Sequence, residues 1–327
     1  MNQYTSDLQA TGPSRKDSAK LDQIRRGRVG SMLNVKGVSN TRHFQEAAME
    51  SRLRIPLLFG LDVIHGMRTI YPIPLAEAAS FNLDLMERTA AAAKEASSEG
   101  IHWTFAPMVD VSRDACWGRV MEGAGKDTWY GSRVAEARAR GFQGELLADK
   151  ATILACAKHF AAYGACIGGR DYNTVDLSRI TLHEVYLPPF RAALDARVST
   201  FMNAFNEVDG IPATGNTYLL RDILKGDWGF NGFVVSDWNS VGEMVNHGFV
   251  ADLKGAAYNG VTAGCNMESR AYTSHLEELV KEGLVDKSYI DDVVRRILLK
   301  KFEFGLFDDP FKYCSEERKK ELSFLMS

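Results

Sequence analysis

Short apolar runs alternate with helical stretches from residue 28 to about 305. The runs fall at 28–33, 56–62, 102–110, 152–159, 200–205, 232–237 and, briefly, 263–267. They are apolar at consecutive positions, as parallel strands covered by helices on their outer face must be. Between them the period changes to that of a helix. Asn82 is placed to cap a helix that runs through 90–93 to Glu99 and stops at Gly100. Residues 218–227 form another, closed by Gly229 and an Asn231-Gly232 turn. Ile290, Val293, Val294, Ile297 and Leu298 share one face of a helix over 286–304 that ends at Gly305. Pro188-Pro189 should break or offset the helical stretch around it. Strand-then-helix alternation predicts an α/β fold, a parallel sheet with helical crossovers. Six or seven strands in this span favour a TIM-type (β/α)8-like barrel, incomplete or irregular, over an open sheet. The expected division is 1–310 as the barrel domain. Residues 311–327, with the charged Glu316-Glu-Arg-Lys-Lys-Glu321, are expected to be a linker or peripheral helix leading to a second domain absent from the chain.

Composition removes several classes of function. Thirty-nine Lys and Arg against 42 Asp and Glu leave a net charge of −3, without the basic excess of a nucleic-acid binder. No apolar run approaches the roughly 18 residues of a membrane span. Five Cys with no C-x-x-C pair make no disulfide framework. Residues 1–20 are polar, and no signal peptide is expected in them.

The informative residues are those that end the apolar runs: Asp62, Asp110, Lys158-His159, Asn206-Glu207 and Asp237-Trp238. In a parallel barrel the C-terminal strand ends meet at one mouth, so these groups should share a cavity. A lone Asp after a strand reads first as a helix cap; the whole set reads as a site. Asp237 follows the buried run Phe233-Val-Val-Ser236, which would hold it rigidly as a nucleophile, base or ligand. Trp238 offers a flat apolar ring for a pyranose face, core filling being the plain alternative. Lys158 and His159 are adjacent, so both enter the cavity only if the strand end turns. From 113 to 127 runs an irregular loop with Arg113, Arg119, Glu122 and three Gly, either part of the mouth or a solvated loop with internal ion pairs.

Five segments, in order, resemble the catalytic barrel of glycoside hydrolase family 3, in its β-glucosidase branch. They are Gly60-Leu-Asp-Val-Ile-His-Gly66, Pro107-Met-Val-Asp-Val-Ser-Arg-Asp-Ala-Cys-Trp-Gly-Arg119, Lys158-His-Phe-Ala-Ala-Tyr-Gly164, Met202-Asn-Ala-Phe-Asn206 and Val234-Val-Ser-Asp-Trp238. The resemblance spans about 20–310. It implies a retaining hydrolase of terminal β-D-glucosyl residues with Asp237 as nucleophile. Asp62, Arg119, Lys158 and His159 would grip the sugar, with Met202, Phe205 and Trp238 against it. Phe205 stands where many relatives carry Tyr. Arg113 and Glu122 would brace the mouth loop, and Met267 should lie near the mouth. The resemblance asks for no metal or cofactor. It implies a carbohydrate substrate, a periplasmic or secreted location, and a general acid/base supplied by a second domain.

Three other readings stay open at this point. One is the single-domain β-N-acetylglucosaminidase type of the same family. Its Pro-Gly-His and Asp-Ser-His patterns are missing from 158–164 and 170–176. Another is a metal-dependent hydrolase using Asp62, His65, His159, His183 and Asp237, although no compact ligand pair is present. The last is a sugar-binding barrel without catalysis. Cys116 and Cys166 lie in two mouth loops, and whether they pair is a matter of geometry.

Overall fold

A computed structural model describes residues 2–5, 17–90 and 92–325. Strands β1 (Gln3–Thr5), β2 (Ser31–Leu33), β3 (Leu58–Leu61) and β4 (Trp103–Thr104) pair in parallel in that order. Strands β5 (Cys156–Phe160) and β6 (Thr200–Asn203) come next, then a short hairpin of β7 (Glu207–Val208) and β8 (Ile211–Pro212), then β9 (Phe233–Ser236). β5, β6 and β9 form a second parallel sheet. Parallel bridges join the two: Trp103 to Leu154 on one side, Val235 to Met267 and Asn2 to Glu268 on the other. Seven strands and the segment at Met267–Glu268 therefore close a ring, an irregular TIM-type barrel of very short strands. β1 lies outside every apolar run, because it is three residues long and two of them are polar.

Alternation along each strand sorts the core into an inside and an outside. Leu58, Trp103, Phe105, Cys156, Met202, Phe233, Val235 and Met267 share one apolar cluster. Within it, Trp103 Nε1 donates to Thr200 Oγ1 at 2.9 Å across the ring. Phe59, Leu61, Ala157, Phe201 and Val234, at the alternate positions, belong to the cluster that packs on the surrounding helices. Phe201 meets Phe190 and Phe230 there. Counting on by two from Leu58, Cys156 and Phe233 reaches Asp62, Lys158 and Asp237. The same parity that fills the floor with apolar groups thus points these three into the mouth.

The helices follow the sequence with two differences. Asn82 caps Leu83–Thr89 by accepting from Leu85 N at 3.0 Å. A second helix, Ala92–Ser98, follows where one continuous helix was expected; Ala91 between them lies outside the described residues. Across from the first, Gly141 packs so tightly that a Cβ there would sit 2.4 Å from Ala90 Cβ. Pro188 opens a new helix, Pro188–Asp195, after a stretch of wider π-type turns. Tyr218–Asp227 and Lys287–Glu303 stand as expected, the first with π-type turns. Beyond Pro310 the chain folds back onto the barrel. Tyr313 and Cys314 are buried, and Glu316–Leu325 is helical, with Arg318 donating to Ser97 Oγ at 2.7 Å.

His102, just before β4, sits fully buried among Phe59, Phe304 and Tyr313. Burial, reinforced by the nearby Lys301 ammonium, pushes its pKa down to about 3. Its folded pKa lies below the unfolded value near 6.5, so the unfolded chain binds the proton first as pH falls. Stability should therefore decline from about pH 6.5 towards pH 3, by at most about 1.4 kcal/mol per pH unit from this group. Denaturant titrations at several pH values should show a shallower acid-side slope in His102→Gln than in the wild type.

Candidate active site

At the C-terminal end of the ring is a cavity of about 470 Å³. Its charged lining is Asp62, Arg119, Glu122, Lys158 and Asp237, brought there by three local devices. Asp62 and Asp237 each follow the last residue of a buried strand, β3 and β9. Lys158 lies within β5, where the pairing with β6 shifts register between Lys158 and Phe160. That irregularity lets adjacent Lys158 and His159 both face the site. Arg119 and Glu122 come from the turn Val120–Glu122 in the loop after β4. The loop after β5 folds against that loop, and Gly164 permits it: a Cβ there would lie 2.3 Å from Val111 O.

Lys158 Nζ donates to Asp62 Oδ1 at 3.0 Å and lies 3.8 Å from Glu122 Oε2. Arg119 grips Glu122 with two parallel bonds, Nε to Oε1 at 2.8 Å and Nη2 to Oε2 at 3.1 Å. Its Nη1 is 3.8 Å from Asp237 Oδ2. His159 Nε2 stands 3.5 Å from the same oxygen, while Asp237 Oδ1 accepts from Trp238 N at 2.6 Å. Behind the site, His159 donates its backbone N–H to Asp110 Oδ2 at 2.7 Å, and its Nδ1 is 3.0 Å from that atom. Asp110 therefore fixes the imidazole, a partner that the sequence offered only as one more strand-end Asp.

Burial sets the protonation states, and the neighbours adjust them. Burial raises the Asp237 pKa, with Arg119 and Lys158 opposing. Burial also works against charge on Glu122, but Arg119 and Lys158 outweigh it and hold its pKa below the usual range. Lys158 is likewise desolvated, yet Asp62 and Glu122 keep its pKa raised. His159 is pushed well below its ordinary value by burial and then by Arg119 and Lys158, so it is a neutral ring. Asp110 is raised by burial to about 7.

The remaining expected residues fall as follows. Met202, Phe205 and Trp238 line the cavity. Met267 is fully buried in the ring; its carbonyl accepts from Ser236 N at 2.8 Å, one residue before Asp237. Arg113 is exposed and stands 5.9 Å over the Tyr186 ring, away from the cavity lining. His65 Nδ1 is 3.1 Å from Tyr71 O, and His183 Nε2 is 2.8 Å from the Tyr218 hydroxyl, so neither joins Asp62, His159 and Asp237. Among the described residues no group of three or more His, Cys, Asp or Glu is arranged to hold a metal ion. Cys116 and Cys166 are not bonded to each other: the first is exposed, and the second donates its thiol to Asn173 O at 3.2 Å. Gln3, Asn34, Ile64 and Tyr172 also line the cavity and were not singled out from the sequence. No helix among the described residues is long and apolar enough to cross a membrane.

The geometry defines a class, the parallel α/β barrels with a charged cavity at the C-terminal mouth, where barrel enzymes carry their sites. Residues 6–299 match the profile described as glycosyl hydrolase family 3 N terminal domain, and the chain belongs to that family. It is 42% identical over 310 residues to the periplasmic beta-glucosidase of Salmonella typhimurium, covering 94% of this chain and 40% of that protein. It is 35% identical over 288 residues to a beta-xylosidase of Formosa agariphila, covering 81% and 40%. The crystal structure of a beta-glucosidase from Listeria innocua in complex with isofagomine superposes with a TM-score of 0.88 at 40% identity, over 95% of this chain and 44% of that one. A mutant of that enzyme with laminaribiose superposes with a TM-score of 0.91. The chain thus spans less than half the length of these relatives.

The charge arrangement has a direct test. Carbon-13 NMR of labelled Asp should show Asp237 titrating above the ordinary value near 3.9. In Arg119→Met the midpoint should move further up, because a cation that favours the carboxylate has been removed. An unchanged midpoint would mean that Arg119 does not act on Asp237.

Proposed function

We propose that this barrel carries the glycosyl-transfer site of a retaining β-glucosidase, with Asp237 as the nucleophile. The observation that supports it best is the placement of Asp237. A fully buried strand delivers it into a sugar-sized cavity beside Arg119, Lys158 and His159. The relatives named beta-glucosidase and the neighbour solved with isofagomine favour a glucoside over a xyloside.

In this reading a terminal glucosyl residue sits in the cavity. Asp62 accepts hydrogen bonds from sugar hydroxyls, and Lys158 and Arg119 donate to hydroxyl oxygens. Trp238 N–H orients the Asp237 carboxylate. A carboxylate oxygen of Asp237 bonds to the anomeric carbon as the bond to the leaving oxygen breaks, and the leaving oxygen takes a proton or departs as an anion. Water then adds to the anomeric carbon, its proton is removed, and the ester to Asp237 breaks. Such chemistry needs a second carboxyl roughly 5–5.5 Å from the first as general acid/base. Glu122 is unsuited, because Arg119 and Lys158 keep it ionised. Asp62 is tied to Lys158. The reading therefore assigns leaving-group protonation to a part of the protein other than this cavity, a second domain in the natural protein.

Asp237→Asn should abolish turnover of an aryl β-glucoside, at least 10³-fold in kcat/KM, with an unchanged circular dichroism spectrum, the scale expected for removing a nucleophile. Turnover close to wild type would move the nucleophile elsewhere. A second outcome concerns the leaving group. General acid catalysis contributes about 10²- to 10⁴-fold, and a nitrophenolate needs none of it. This chain should therefore favour nitrophenyl glucoside over cellobiose in kcat/KM by a factor of that order. Efficient cleavage of cellobiose would show that the barrel holds its own acid, and binding without any turnover of the aryl substrate would favour a sugar-binding barrel instead.

A further inference from the structure

The catalytic cavity shares Gln3, Tyr172, Phe205 and Trp238 with an adjoining cavity of about 630 Å³ that runs on past Asn239 and Glu243. Of this shared wall, Gln3 and Tyr172 are accounted for neither by the mechanism nor by the sequence, and Tyr172 is the aromatic one. The Tyr172 backbone has φ +64°, a conformation that a bulky residue seldom adopts. It persists because both neighbours are tied down. Asp171 accepts from the indole of buried Trp117 at 3.0 Å. Asn173 donates its amide to Ile167 O at 3.1 Å, and its own carbonyl takes the Cys166 thiol. One residue further, Thr174 donates to Glu207 Oε2 at 3.2 Å, and Val175 pairs with Val208 of the hairpin. A side chain held this firmly would be expected to pack away. Instead the residue is 49% exposed, with its ring centroid 4.3 Å from that of Phe205. Strain fixed by its surroundings and spent on presenting an aromatic ring is typical of a functional position. The phenol feels both cavities: after burial, the Asp237 carboxylate is the largest cause that raises its pKa, and Glu243 adds to it.

We propose that Tyr172 is a specificity-determining residue, the surface against which the leaving group lies. The group it would take is a flat ring, either an aryl aglycone or the apolar face of a second β-linked pyranose. This rests on the reading of Asp237 as nucleophile. A bond cleaved at Asp237 has its sugar side in the smaller cavity, and the shared wall is where the other side must leave. Stacking there requires a ring edge or face open to solvent before substrate arrives, which the half-exposed Tyr172 provides.

Two substrates that need no general acid separate the roles. 2,4-Dinitrophenyl β-glucoside has a ring in its leaving group, and β-glucosyl fluoride has none. Tyr172→Asn removes the ring with a residue that tolerates positive φ. It should lower kcat/KM for the dinitrophenyl substrate about fivefold to tenfold, the scale of an aromatic contact, and leave the fluoride within about twofold. Tyr172→Phe should leave both nearly unchanged. On the unaltered protein, phenyl 1-thio-β-glucoside should inhibit more tightly than the methyl compound, a readout that needs no folded variant. Equal losses on both substrates would mean that Tyr172 acts through Asp237. No loss on either, or equal inhibition by the two thioglucosides, would mean that the ring does not meet the leaving group. Any of these overturns the proposal. Failure of the wild-type chain to turn over either substrate would remove the nucleophile reading, and this inference with it.

Discussion

Lys158 Nζ is almost wholly withdrawn from water, on the inward face of a strand inside the barrel. A buried ammonium costs several kcal/mol unless anions surround it. Here the anions come from two distant parts of the chain, Asp62 at the end of β3 and Glu122 in the loop after β4. Glu122 in turn brings Arg119 through a bidentate pair, and Arg119 reaches Asp237 at the end of β9. One desolvated charge thus organises four others. Removing Glu122 would leave buried Lys158 with Asp62 alone and Arg119 without its bidentate partner, so the mouth depends on these charges being present together.

The charges that line the cavity do not cancel. Asp62, Glu122 and Asp237 supply three negative groups, and Arg119 and Lys158 supply two positive ones. The neutral His159 adds nothing. The balance, two minus three, is one negative charge. The pairings leave it on Asp237, whose nearest cation is 3.8 Å away while Glu122 and Asp62 have direct partners. A site with one uncompensated negative charge is complementary to positive charge developing on a sugar ring, and it is fixed before substrate arrives. Burial opposes that charge, and Arg119 and Lys158 restrain the opposition. The same two cations that would hold sugar hydroxyls therefore also set the state of the Asp237 carboxylate.

The strand-borne side of this site was legible in the chain because strands have a period of two. Leu58 to Asp62 and Phe233 to Asp237 differ by four residues, so an apolar inward face fixes the direction of the polar residue that ends it. The loop after β4 was legible as a site for a different reason: Arg119 and Glu122 are three apart and pair across a single turn. Other features left no such trace. β1 is too short and polar to stand out as an apolar run, yet it completes the ring by pairing with β2 and Glu268. The helical period over 82–99 is continuous, and only the close approach of Gly141 marks the place where two helices meet. Tyr313 in the tail looked like part of a charged connector, but it stacks on Phe304 at 4.7 Å and anchors the tail to the barrel.

Tyr172 and its cavity wall belong to the part that periodicity cannot reach. Its position depends on a loop held by the indole of Trp117, the Cys166 thiol and the hairpin at Glu207, which lie 55, 6 and 35 residues away in sequence. No local pattern encodes those contacts. This divides the site physically. The residues that would recognise the invariant part of a substrate, the terminal sugar, stand on or directly after rigid strands, or pair with a side chain that does. The wall that would meet the variable part is built by a loop whose geometry is set by tertiary contacts alone. Loops change their side chains without disturbing a barrel ring. An enzyme built on this plan can alter what it releases while keeping the sugar pocket intact, and the sequence of such a site discloses the shared chemistry before it discloses the specificity.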